Sequence, residues 1–95
     1  MSNYDAIQIT ECNRRRNNVR ACMVVEIDRE RGLLCRLPWG TETIRMKPRD
    51  FEVVPYKAGD WVDLALETIS THNHISVRSA QYIGVTPSAF IPKIN

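Results

Sequence analysis

From about residue 20 the hydrophobic positions recur with period two, the spacing at which side chains point alternately to the two faces of a strand. Ala21 to Ile27 is rich in apolar and β-branched residues and runs into the charged turn Asp28-Arg29-Glu30-Arg31-Gly32. Gly32 suits such a turn because it accepts a positive φ without a Cβ clash. Leu33 to Leu37 predicts a returning strand, stopped by Pro38. Trp39-Gly40-Thr41 predicts the next turn, and Glu42 to Lys47 alternates with Ile44 and Met46 inward and Thr43, Arg45 and Lys47 outward. Pro48 to Phe51 breaks the pattern. After the turn Lys57 to Asp60, Trp61 to Glu67 alternates cleanly, which makes Val62, Leu64 and Leu66 the firmest core positions. Thr71-His72-Asn73-His74 caps a hairpin, and Ile75 to Arg78 alternates again before Ala80 to Gly84.

No window places apolar residues at i, i+3, i+4 and i+7 over three turns, so no long helix is expected. The prediction is an all-β chain: five short strands closing a small β-barrel over residues 20–83, either OB-fold or SH3-like. Residues 1–19 are expected to form a basic, flexible N-terminal arm, with Ala6 to Thr10 a candidate edge strand and Asn13 to Asn18 a polar run with nothing to bury. Residues 84–95, with Pro87 and Pro92, are expected to form an extended C-terminal tail.

A length of 95 residues allows one core. With 43 % hydrophobic and 25 % charged residues, disordered, fibrous and coiled-coil readings fail on composition. Neither a basic leader nor an apolar segment opens the chain, so the expectation is an intracellular protein, cytoplasmic or nuclear, with Cys12, Cys22 and Cys35 reduced. The net charge of +2 hides an asymmetry: Arg14 to Arg49 holds ten basic residues against four acidic ones. That half of the chain is suited to a polyanion.

The first hairpin resembles that of the cold-shock domain, an OB-fold family of single-stranded nucleic-acid binders. Cys22 to Asp28 stands where that family has a G-x-V-K-W-F-N pattern, and Arg29 to Gly32 followed by Leu33 to Arg36 replaces its charged turn and F-G-F-I. Thr43 to Met46, Gly59 to Leu64 and Ile75 to Ala80 are similar to its third, fourth and fifth strands. The resemblance implies a five-stranded barrel that stacks bases on aromatic side chains. It places Glu26, Leu33, Cys35 and Arg45 at those stacking positions, so most of the aromatic platform is replaced.

The chemistry left is cationic. Arg14, Arg15, Arg16 and Arg20 form the densest cluster, and arginine's planar fork suits phosphate. Arg31, Arg36, Arg45 and Lys47 fall on the predicted first three strands and their turns, with Trp39 as a candidate stacking surface in an exposed turn. Together these residues predict non-enzymatic binding of single-stranded RNA or DNA, RNA foremost, without a cofactor or metal. The alternative is a protein-interaction module in which Leu33, Cys35 and Trp39 form an apolar docking patch. Trp61, opposite in phase to Val62, is expected to cover the outside of the barrel or seal one of its ends. His72 and His74 lack the further ligands a metal needs.

Overall fold

The computed structural model describes residues 11–39 and 41–92. The candidate edge strand at Ala6 to Thr10 lies outside them. Five antiparallel strands, β1 (Val19–Asp28), β2 (Gly32–Arg36), β3 (Thr43–Met46), β4 (Trp61–Thr71) and β5 (His74–Val85), form one sheet in the order β3-β2-β1-β4-β5. The sheet curls into a nearly closed barrel compatible with an OB-like architecture. Since each neighbour is antiparallel, the outermost strands β3 and β5 run the same way and face each other across the open seam.

Alternation selects the core. Cys22 and Val24 of β1, Leu33 and Cys35 of β2, and Val62 and Leu64 of β4 are fully enclosed, with Leu37 and Leu66 at their ends. Fully burying one such aliphatic side chain stabilises by about 1.5–3 kcal/mol, so this small core leaves little redundancy. Ile44 and Met46 pack against it from β3, as the alternation predicts. A bulge between Val24 and Glu26 shifts the β1 register: Val24 pairs with Cys35, but Glu26 pairs with Leu34. The extra residue places Ile27 opposite Leu33, near the end of β1, where it remains 37 % exposed. An aromatic group from the β3–β4 connection closes one end. Phe51 stacks on Tyr56 at 6.5 Å between ring centroids, and Tyr56 meets Tyr82 of β5 edge-on at 6.2 Å.

The polar run before β1 behaves differently from the mobile arm expected for it. Residues 11–16 are helical, and the link to β1 is pinned by Asn18, which adopts φ 53°. Its side-chain amide donates to the Leu66 carbonyl at 2.7 Å, and the Leu66 amide donates to the Asn18 carbonyl at 3.1 Å. Above it, Arg14 grips Asp63 of β4 with both guanidinium ends: Nη2 donates to Oδ1 at 2.9 Å and Nη1 to Oδ2. Asp63 lies on the outward phase of β4 yet is only 5 % exposed. Thr86 donates to the same Oδ1 at 2.9 Å, and the Arg14 guanidinium lies 4.4 Å above the Phe90 ring. The tail is likewise more ordered than expected: β5 continues to Val85 and a 3-10 turn follows at Ser88–Phe90. One carboxylate therefore holds both flanking segments against the barrel.

Two substitutions test this framework. Gly32 has φ +86°, and a Cβ there would lie 2.3 Å from the Met46 carbonyl oxygen, so Gly32→Ala is expected to lower the unfolding free energy by at least about 2 kcal/mol. Asp63→Ala, which strands the Arg14 cation, is expected to cost roughly 3 kcal/mol by urea titration. Removing Arg14 as well should add little; fully additive losses would show that the two side chains act independently.

Candidate nucleic-acid interface

The eight cations singled out by sequence separate according to what each touches. Arg14 is committed to Asp63, Arg15 reaches Glu11 at 3.0 Å one helical turn earlier, and Arg31 reaches Asp28 at 3.3 Å within its own turn. Lys47 lies 3.6 Å from Glu52 and 5.4 Å from the centre of the Phe51 ring. Arg14 thus leaves the candidate set, because a buried carboxylate already takes its fork. Exposed pairs such as Arg15 with Glu11 are worth at most about 1 kcal/mol and exchange readily for a phosphate. Among the described residues Arg16, Arg20, Arg36 and Arg45 have no carboxylate within 4.0 Å.

Register brings two of these together. Arg36 pairs with Thr43 and Leu34 with Arg45, so both arginines stand on the outer face of β2 and β3, one outward row apart. Strand spacing and rise put their Cα atoms about 8 Å apart. Arg36 is exposed; Arg45 is half-buried, and its enclosed Nη1 has no hydrogen-bond partner. Glu26 shares the outer row of Arg45 but stands two strands away, beyond Leu34, without pairing to it. Arg20 has the inward parity of Cys22 but sits at the start of β1, half-buried, with Nη1 donating to the Val19 carbonyl at 3.2 Å.

The same outer face carries an aromatic that the sequence assigned to structure alone. Trp61 pairs with Met23, and Met23 pairs with Arg36, so all three lie in one outward row across β4, β1 and β2. They border a hollow of about 270 Å³ with Ala21 beneath and Pro38 and Pro92 at its sides. An adjoining cleft of about 260 Å³ shares Ala21, Pro38 and Pro92 and is lined further by Arg15, Arg20 and the Glu11 carboxylate that pairs with Arg15. An apolar slot thus lies between Arg36 on one side and Arg15 and Arg20 on the other.

Trp39 departs from the exposed turn expected for it. It is half-buried and packed against the core, and its indole Nε1 is enclosed without a partner. Leu33 and Cys35 also fail as surface groups, being wholly buried. Side chains alternate strictly, so the residues of β2 that reach the surface are Leu34 and Arg36, one place later than the resemblance implied. The apolar patch of Leu33, Cys35 and Trp39 therefore does not form on the outside.

A larger cleft of about 600 Å³ opens at one end of the β3–β5 seam, between Lys47, Arg49 and Asp50 on one side and Gln81 and Tyr82 on the other. Its wall carries a relay in which Tyr56 donates to Asp50 at 2.6 Å and accepts from the Tyr82 hydroxyl. Burial raises both phenols above their ordinary pKa, and for Tyr56 the bonds to Asp50 and Tyr82 push the same way, so both stay protonated at neutral pH. The Asp50 carboxylate thus stands beside the cations of Lys47 and Arg49 at this rim and is engaged by the Tyr56 hydroxyl. His72 and His74 are exposed at the tip of the β4–β5 hairpin, where Asn73 takes φ 61°.

No family model, curated protein or solved structure matches the chain.

The buried thiols give the third test. Burial pushes Cys22 up to about 12, helped by the nearby Cys35 and Asp63 and opposed by Arg20, and pushes Cys35 up to about 11. Both are neutral in the fold, whereas an unfolded thiol ionises near 9.0, so their contribution is intact below pH 9 and is lost as pH rises from there towards 12. The urea midpoint should fall across that window. At neutral pH a thiol reagent should label exposed Cys12 quickly, and Cys22 and Cys35 only on unfolding.

Proposed function

We propose that this chain is a non-enzymatic OB-like barrel that binds single-stranded nucleic acid, RNA foremost, across the outer face of β1, β2 and β3. The observation that carries the reading is the pair Arg36 and Arg45, held in fixed register on one face with no carboxylate within 4.0 Å of either among the described residues. Two guanidiniums at such a spacing can engage successive phosphates of an extended strand through paired hydrogen bonds. The likeness of the first hairpin to cold-shock domains supports the same reading, but Leu34 and Arg36 replace a stacking platform. Binding is therefore phosphate-led, tolerant of sequence and sensitive to salt.

A second reading, docking of a protein, rests on the hairpin beyond Glu67, where Ile69 and Ile75 are 47 % and 46 % exposed. They belong to adjacent cross-strand pairs, Ile69 with Ser76 and Ser70 with Ile75, and so point to opposite faces. Neither face gains a continuous apolar patch, and the nucleic-acid reading is favoured.

Fluorescence anisotropy with a labelled single-stranded RNA tests the nucleic-acid reading. With Arg20, Arg36 and Arg45 each releasing counterions from one phosphate, affinity should fall roughly 20-fold between about 50 and 200 mM salt. Replacing Arg36 and Arg45 together by alanine should weaken binding at least about tenfold at the lower salt and flatten that dependence. Unchanged affinity in the double variant rejects this face.

A further inference from the structure

On that reading of the outer face, we infer that the hollow beside Trp61 is a slot for one base of the bound strand, with Arg36 and the Arg15 and Arg20 pair taking the phosphates on either side of it. Trp61 supplies an aromatic ring, Ala21 and Met23 an apolar floor, and Pro38 and Pro92 two rigid walls. A base is a planar apolar face with a polar edge, and stacking on an indole is worth enough to order it while accepting any of the four bases. The hollow's volume of about 270 Å³ gives room for a nucleobase.

The placement of charge selects the chemistry of the occupant. From Trp61 across β1 to Arg36 is two strand spacings, about 10 Å, close enough for a base on the indole and its phosphate on the guanidinium. Arg15 and Arg20 line the cleft that continues beyond Pro38 and Pro92; Glu11, which pairs with Arg15 at 3.0 Å, lines it too, so Arg20 is the cation there with no carboxylate within 4.0 Å among the described residues. An isolated nucleotide needs a cation on one side only. Cations on both sides fit an internal nucleotide, whose two flanking phosphates both seek a partner. An apolar side chain from a protein would fill the slot but leave the arginines unused.

The slot also explains the half-buried position of Trp61. The indole stands on the outward phase of β4, at the strand's first residue, and its carbonyl accepts from the Thr86 amide at 3.0 Å. Its backbone is thereby fixed beside the segment that brings Pro92 to the wall, so the slot is formed before a ligand arrives. A preformed site lowers the ordering cost of binding.

The test compares two labelled probes of equal length, oligouridine and an abasic oligomer that keeps the phosphates and lacks the bases. Oligouridine should bind at least about tenfold tighter than the abasic strand, and should quench Trp61 emission in a Trp39→Phe background. Trp61→Leu should remove that preference while leaving abasic binding unchanged, and Trp61→Phe, which keeps an aromatic face, should restore most of it. Arg36→Ala should weaken both probes alike. Equal binding of the two probes by the unaltered chain, or full oligouridine affinity in a Trp61→Leu protein with unchanged circular dichroism, overturns the base slot; the phosphate reading stands if Arg36→Ala still weakens binding. If no oligonucleotide binds at low salt, both readings fall and Trp61 is left as an apolar surface residue.

Discussion

A carboxylate on the outside of a central strand organises this molecule. Asp63 projects away from the core between Val62 and Leu64, where a strand in a small barrel would ordinarily meet water. It is instead covered by Arg14, Thr86 and Phe90. Burying a carboxylate without a partner costs several kcal/mol, so the fold is committed to bringing a cation to it. That commitment converts two polar flanking segments into packed structure. It also sets the neighbourhood of Trp61, because the helix that carries Arg14 brings Arg15 beside Arg20, and the segment that carries Phe90 continues into Pro92.

The barrel's other constraint is incomplete closure. β3 has only four residues and pairs with β2 alone, so the β3–β5 seam is left without a ladder among the described residues. The Phe51, Tyr56 and Tyr82 group fills part of the space a longer strand would have covered, and the relay to Asp50 satisfies the hydroxyls that this burial would otherwise strand. Gly32 acts at the opposite turn, where its missing Cβ admits the Met46 carbonyl close against β2. A short third strand is tolerable because these contacts take over its packing.

Strands, turns and core were legible because they are written in local pattern. The alternation at Val62, Leu64 and Leu66 and the turns at Gly32, Gly59 and Asn73 depend on neighbours a few residues apart. What was hidden depends on residues far apart in the chain. Nothing near Arg14 announces a carboxylate 49 positions later. A run of three arginines also reads as one patch, yet on a helix successive side chains diverge by about 100° and cannot share a target. Arg14 accordingly turns in to Asp63, Arg15 reaches along the helix to Glu11, and Arg16 remains in water. The phase of β2 was lost for a different reason. Leu33 and Cys35 are as apolar as a docking patch would be, and only the ladder, with its bulge at Val25, reveals that Leu34 and Arg36 hold the surface.

The division of labour among the arginines determines what a single stacking residue can add. On the proposed function each cation would contribute about 0.2–1 kcal/mol against one phosphate at physiological screening, so Arg20, Arg36 and Arg45 together would give roughly 0.6–3 kcal/mol. One base on an indole contributes a similar amount, about 1–3 kcal/mol. The arginines alone would not separate a single strand from a duplex or any other polyanion, since all present phosphate or its like. In a duplex the bases are stacked on each other, and freeing one costs a few kcal/mol, as much as the slot returns. On the proposed function, a lone aromatic beside a cationic track would confer little preference among bases but a clear preference for strands whose bases are already free.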